Sequence, residues 1–216
     1  MTAPGAPPDD QAGAPAPPAL SLRPVGEADA PAVAGAVERS RPELERWMPW
    51  CHPGYGESDA LAWIRASVEE RRVGRGYAFG IFGAAGEFLG SCGLHMVDAQ
   101  NRAAALGYWV RSDVTGRGIA TAGARWVARH AFEVLGLELL EIRAAVRNAA
   151  SQRVAERLGA RLDAALPARL LLQGVRHDIV VYSLTPILLR DRPPSRLAHP
   201  RRPTPVGGQP TIVRRG

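Results

Sequence analysis

Apolar residues recur along this chain with two different periods. Three runs rich in aromatic and branched residues, Tyr77–Phe82, Phe88–Val97 and Ala103–Val110, are separated by Gly83-Ala84-Ala85-Gly86 and by Asp98–Arg102. Both separators are of hairpin length, so the runs predict an antiparallel meander. Helical spacing dominates on either side. An Ala-rich helix is predicted from Glu27 to about Arg39, a second short piece over Pro42–Met48, and a third helix over Glu57–Arg72, where Leu61, Ile64 and Val68 share a face and Ser58 is the cap. After the meander, Ala120, Ala124, Val127, Ala131 and Leu135 form another stripe, ended by Gly136. Leu20, Leu22 and Pro24 mark a short opening strand. Leu139–Val146, Gly159–Leu166 and Ile179–Leu184 mark later strands, with a helix over Ala149–Leu158 and a turn at Gln173-Gly174. This order predicts one mixed α/β domain with a mostly antiparallel sheet flanked by helices.

The two ends do not join the pattern. Six of the 19 prolines lie in 1–19 and six in 187–216, and neither stretch carries periodic apolar residues. Such segments cannot offset the entropy of ordering, so 1–19 and 187–216 are expected to be disordered tails around a domain at 20–186. The C-terminal stretch holds seven arginines against Asp191, which accounts for the whole formal charge of +6. A basic composition therefore says little about the domain, and it does not make the domain a nucleic-acid binder. The first 19 residues lack the basic start of a secretory signal, and no run approaches the roughly 18 apolar residues of a membrane helix. A cytoplasmic protein without a membrane partner is the expectation.

All 27 basic residues are arginine. Without lysine there is no Schiff-base chemistry and no GxxxxGK[ST] phosphate loop, which removes pyridoxal enzymes and Walker-type NTPases. Cys51 and Cys92 cannot form a disulfide framework or a four-thiolate zinc site; both are expected to be reduced, and no metal is expected.

The segment Gly107–Thr121 carries the chemistry. A predicted strand leads through a Gly-punctuated loop into a helix start, where several N–H groups and the positive end of a helix dipole can meet a pyrophosphate. An unliganded connection fits the same residues. A dinucleotide site fits poorly, because Glu138 precedes the next strand and Glu141 lies inside it, leaving no acidic residue at that strand's end to hold a ribose.

Thr115-Gly-Arg-Gly-Ile-Ala120 resembles the [QR]xxGx[GA] acyl-CoA loop of the GNAT acetyltransferases. Asn148-Ala-Ala-Ser151, followed by Ala155, Leu158 and Gly159, resembles the NxxS…G helix of the same superfamily. Trp47-Met-Pro-Trp50, Gly93-Leu94, Gly107-Tyr-Trp109 and Gly174…Asp178…Tyr182-Ser-Leu184 are similar to the RimJ/RimL branch, whose members acetylate N-termini of ribosomal proteins. The resemblance covers about 20–186 and implies a GNAT-like sheet splayed at the acyl-CoA site. It further implies acetyl-CoA as co-substrate, held by Val110, Thr115, Gly116, Arg117, Gly118, Ile119, Ala120, Thr121 and Asn148. Thr115 departs from the usual Gln or Arg. Ala105 stands where many relatives carry a glutamate base, and Leu170 leaves no carboxylate before the last strand.

What remains implies direct attack of a neutral amine on the thioester, with alignment and oxyanion contacts as the main contributions. An α-amino group, of pKa about 8, needs a base less than lysine does at about 10.4. The missing glutamate thus favours an N-terminal or weakly basic amine. Ser151 is the candidate donor to the departing thiolate and His95 a candidate base, since alternation sets it opposite Leu94 and Met96. Trp47, Trp50, His52 and Tyr108 are candidates for the acceptor site; helix capping by Asn148 and core packing by the two tryptophans are the structural alternatives. A small amine such as an aminoglycoside or polyamine is the other acceptor class. Between Arg41 and Glu57 the count of Glu43, Glu45 and Glu57 against Arg41 and Arg46 does not choose. A non-catalytic acyl-CoA sensor on ribosomes or RNA is the alternative to an enzyme. The expected partners are acetyl-CoA, an amine acceptor such as a ribosomal-protein N-terminus, weak electrostatic RNA contact through the basic tail, and a second copy of the chain as a homodimer.

Overall fold

The two N-terminal helical pieces are one helix. In the computed structural model, which describes residues 19–190, α1 (Ala30–Trp47) runs through Pro42. Val33, Ala36, Val37, Ser40 and Leu44 are buried along it, so one face stays continuous across the proline. An interior proline costs about 3 kcal/mol, and burial of Leu44 alone contributes about 1.5–3 kcal/mol. The break expected between Arg39 and Pro42 is therefore absent. α2 (Glu57–Arg72) follows, capped at Gly56 and not by Ser58: the Asp59 carboxylate accepts the Gly56 N–H at 2.9 Å.

The strands are β1 (Ser21–Arg23), β2 (Tyr77–Phe82), β3 (Phe88–Asp98), β4 (Ala103–Val110), β5 (Leu139–Ala145), β6 (Arg161–Leu172) and β7 (Val175–Leu184), and they form one sheet in the order β1-β2-β3-β4-β5-β7-β6. Every neighbouring pair is antiparallel except β4 and β5. The meander is β2–β3–β4, as its hairpin spacings predict. α3 (Ile119–Glu133) provides the crossover that a parallel pair requires, and Leu135 lies beyond its end. Ala124, Trp126, Val127 and Ala131 of α3 pack with Ile81, Cys92, Leu94 and Leu140 of the sheet. Val33, Ala36 and Val37 of α1 and Ala60 and Ile64 of α2 form a second cluster with Val25, Phe82 and Phe88.

The last hairpin is longer than its apolar pattern suggests. β6 is an edge strand whose residues are mostly exposed, so it shows no alternation, and Pro167 falls at a register shift between Leu166 and Leu170. α4 (Ala149–Leu158) precedes it. Beyond β7, α5 (Pro186–Arg190) carries packed structure a few residues past 186: Leu189 is 4% exposed, and a Cβ on Gly159 would come within 2.8 Å of the Leu188 carbonyl. The remaining tail residues expected to be disordered lie outside the described residues. Leu189→Ala should lower the unfolding free energy by about 2–5 kcal/mol, read from urea denaturation; a change within error would remove α5 from the core. No helix among the described residues is long and apolar enough to cross a membrane.

Candidate active site

β4 and β5 pair only at Ala103–Leu139, Ala104–Leu140 and Ala105–Glu141. Past that point the strands part, and β4 backbone groups that would have continued the ladder face a gap. The gap opens into a cavity of about 890 Å³ whose lining includes Leu106–Trp109 of β4, Ile142–Ala145 of β5, His95 of β3 and one face of α2.

At the far end of β4 the chain turns into α3. Ser40, fully buried on α1, accepts the Ser112 N–H at 3.0 Å, and Glu43 accepts the Ser112 hydroxyl at 2.8 Å. The Thr115 hydroxyl turns back to the Ser112 carbonyl at 2.9 Å. Gly116 and Gly118 take φ of +78° and +76°, and a Cβ on either would meet no atom within 4 Å. Gly118 is the N-cap, and the first helical bond is Ala122 N–H to Gly118 C=O at 2.9 Å. The N–H groups of Ile119, Ala120 and Thr121 precede that bond and lie at the positive end of the helix dipole. The loop 115–121 does not line the cavity, and Val110, half-buried, pairs with Gly90 at the end of β4.

Asn148 and Ser151 sit where α4 begins. The Asn148 side chain accepts the Ser151 N–H at 3.1 Å, so its capping role is real. Both residues line the cavity. The Tyr108 hydroxyl donates to the Ser151 carbonyl at 2.9 Å and lies 3.2 Å from Ser151 Oγ. With the phenol proton on the carbonyl, the Oγ contact requires Ser151 as donor. Desolvation raises the Tyr108 pKa above its ordinary 10, so the phenol stays protonated.

His95 faces the cavity against Gly107, where a Cβ would come within 3.1 Å of Nε2. The absent side chain is what admits the ring. Alternation holds for Leu94, which is buried, but fails at Met96, which is 67% exposed with φ of +49° inside an irregularity between His95 and Asp98. Solvent reaches the imidazole, yet the cavity walls surround it, and desolvation lowers its pKa below the ordinary 6.5 while Glu70 opposes the shift. The ring is neutral at pH 7.

The α1–α2 connection forms the opposite wall. Trp47 is the last residue of α1, and Trp50 lies beyond the helix, in a turn, so the two do not share a helical face as the spacing suggests. Both line the cavity, as does His52. Trp50 packs on Tyr55 and Trp109 with centroids 5.6 and 5.9 Å apart. Arg41 holds the connection through the carbonyls of His52 (2.7 Å), Pro53 (2.5 Å) and Tyr55 (3.5 Å).

A family model described as an acetyltransferase (GNAT) domain matches residues 19–161. The Bacillus subtilis (strain 168) protein named "Putative ribosomal N-acetyltransferase YdaF" is 31% identical over 170 residues, 76% of this chain and 90% of that protein. The chain belongs to the GNAT acetyltransferase family. Mycobacterium smegmatis RimJ in complex with CoA-disulfide superposes with a TM-score of 0.72 at 28% identity, covering 79% of this chain and 83% of that one. A RimL ribosomal L7/L12 α-N-protein acetyltransferase, crystallised with coenzyme A, shares the fold with a TM-score of 0.72 at 22% identity, over 80% of this chain and 97% of that one.

The GNAT domain thus gathers Ser151, Asn148, His95, Tyr108, Trp47, Trp50 and His52 on one cavity, while 115–121 stand apart at the start of α3. Sequence reasoning missed Tyr55, Asp59, Glu70 and Trp109 in the same lining and Arg41 behind it. The signal for the α2 residues was a stripe of Asp59, Ala62, Trp63, Ala66, Ser67 and Glu70, helically spaced but of mixed polarity.

Proposed function

We propose that this chain transfers an acetyl group from acetyl-CoA to a primary amine, the α-amino group at a protein N-terminus, with ribosomal proteins as the acceptor class. The observation that carries the reading is the β4–β5 gap, which opens onto a cavity holding Ser151, Tyr108 and His95 together. The names of YdaF and of the RimJ and RimL structures support the acceptor class.

The residues fit acetyl-CoA at both ends. The N–H groups of 119–121 and the open space at Gly116 and Gly118 suit a pyrophosphate, and the gap suits a narrow extended arm. When bound, acetyl-CoA supplies a thioester whose acetyl carbon accepts the amine and whose sulfur leaves as thiolate. Unpaired β4 N–H groups past Ala105 are positioned to polarise the acetyl oxygen. The Ser151 hydroxyl, whose proton rests on the Tyr108 oxygen in the free chain, turns that proton towards the sulfur side when the thioester is bound. His95, neutral and reachable by solvent, takes the proton that the attacking nitrogen sheds, filling the place Ala105 leaves without a carboxylate. In the cell, the basic tail adds weak RNA contact and two copies of the chain pair as a dimer.

Release of free thiol from acetyl-CoA is the test, with seryl and alanyl N-terminal peptides set against N-blocked peptides and small amines. Acetylation of the free-N-terminus peptides alone is the expected result; turnover of small amines only, or no turnover, would sink it. The His95 role predicts a pH signature. The lowered pKa makes the ring a competent base down to below pH 6.5, and protonation removes it there. Log kcat/KM should rise with slope one up to the amine pKa near 8 and steepen to two below the His95 pKa. His95→Gln should keep slope one throughout and run about 10–100-fold slower at pH 7. An identical profile in both proteins would exclude His95.

A further inference from the structure

The charge count between Arg41 and Glu57 was balanced in the sequence, and the fold unbalances it. Arg41 is turned away from the cavity onto three backbone carbonyls. Arg46 lies over the Trp47 ring, 4.9 Å from its centroid, and Glu43 is bound to Ser112. From residues 41 to 72 the charged side chains that line the cavity are Asp59 and Glu70, with no arginine among them. The arginines of the lining, Arg143 and Arg169, stand across the splay on β5 and β6, and Arg143 is bound by Glu141. Glu70 is paired with Arg75 at 3.1 Å, whereas Asp59 accepts the Gly56 N–H at 2.9 Å and lies 3.5 Å from the His52 imidazole.

On the same cavity, Tyr55, whose phenol feels the Asp59 charge, makes a corner of three aromatic rings with Trp50 and Trp109. Trp50 is 40% exposed and inclined by 58° to Tyr55 and 54° to Trp109. Inclined ring faces next to a carboxylate concentrate negative potential at one point, which attracts an organic cation and gains nothing from a neutral chain of equal size. The Gly56 N–H, bound to Asp59, lowers the pKa of its carboxyl and keeps it ionised. Burial and the Asp59 charge push the Tyr55 phenol up to about 12, so its ring remains neutral.

We propose that Trp50, Tyr55, Trp109 and Asp59 form a cation subsite that takes an ammonium or guanidinium group carried by the acceptor next to the amine being acetylated, in a peptide the side chain of a basic second residue. The proposal deepens the acetyltransferase reading and rests on it for the word acceptor. Its test measures binding of product analogues that cannot react.

Full-length protein with coenzyme A is titrated calorimetrically with N-acetyl-seryl-arginine amide, N-acetyl-seryl-norleucine amide and spermidine. The arginine compound should bind about tenfold tighter than the norleucine one, the size of a cation over rings beside a carboxylate. Asp59→Asn, which can still accept the Gly56 N–H, and Trp50→Leu should each reduce that ratio to below about threefold. Equal affinities in the unaltered protein, or a ratio that survives both substitutions, would overturn the subsite. Spermidine binding tighter than the arginine compound would overturn the peptide as source of the cation. Absence of thiol release with every acceptor, beside an intact binding contrast, would strike the acetyltransferase reading and leave the subsite standing.

Discussion

Gly118→Val should lower coenzyme A affinity by at least about 100-fold, because charge-assisted bonds to a backbone cradle contribute about 1.5–3 kcal/mol each and more than one would be blocked. The protein itself offers the new side chain no obstacle: a Cβ at this position meets nothing within 4 Å. The left-handed backbone, at φ +76°, adds a strain of about 1–2 kcal/mol, and that cost must be separated from the loss at the ligand. Gly136 supplies the control. It too has open space around its Cβ and a φ of +70°, but it lies past the other end of α3. Gly136→Val should therefore destabilise the fold by a similar amount and leave coenzyme affinity unchanged. Calorimetric titration beside thermal unfolding reads both quantities. Loss of affinity in both variants would assign the effect to strain, and retention in both would remove the 116–121 cradle from the binding site.

The strand order was legible wherever an element carries a dense apolar run or stripe bounded by turn residues. β2 and the first seven residues of β3 are largely buried on both faces and read as near-continuous apolar runs, and the boundaries of β2 to β4 and of α3 fell within a residue or two of the pattern. Pro42 misled because a local breaker was weighed without the buried stripe that continues through it to Leu44. β6 misled in the opposite direction. It is an exposed edge, so nothing imposes alternation on Arg161–Leu172, and its pairing comes from β7 alone. Likewise Ile187-Leu188-Leu189, a three-residue apolar run between Pro186 and the arginine-rich end, reads as tail until the contacts of α5 with α3 are known.

The site divides in a similar way. Asn148 and the glycines of the loop were visible because backbone geometry at a helix start demands particular residue types at fixed spacing, whereas Ser151 came from the resemblance alone, since the cap uses its N–H and not its hydroxyl. His95 was visible by alternation, although the space it occupies depends on Gly107 across the ladder. Asp59 and Glu70 had no such mark. Eleven positions apart on α2, they share a face with small residues, and a face of that composition is ordinarily solvated. Only the closing of the α1–α2 connection, held by Arg41, turns that face into a wall.

Ser151→Ala is the variant in which capping and catalysis give different results. The cap of α4 is made by the Asn148 side chain and the Ser151 backbone N–H, 3.1 Å apart, and does not use the hydroxyl. Stability should therefore change by well under the about 1 kcal/mol that Asn148→Ala is expected to cost. If the hydroxyl donates to the departing thiolate, single-turnover acetyl transfer should slow by about 100-fold with coenzyme affinity retained. Tyr108→Phe removes the partner 3.2 Å from Oγ and the donor to the Ser151 carbonyl, so it should slow the same step by about tenfold through misorientation of the serine. The double variant distinguishes a relay from two independent contributions. Residues acting as a unit lose no more together than Ser151→Ala loses alone, whereas independent effects multiply to about 1,000-fold. Stable Ser151→Ala and Tyr108→Phe proteins that both keep the unaltered chemical rate would take the two hydroxyls out of the reaction and leave alignment across the β4–β5 gap as the source of rate.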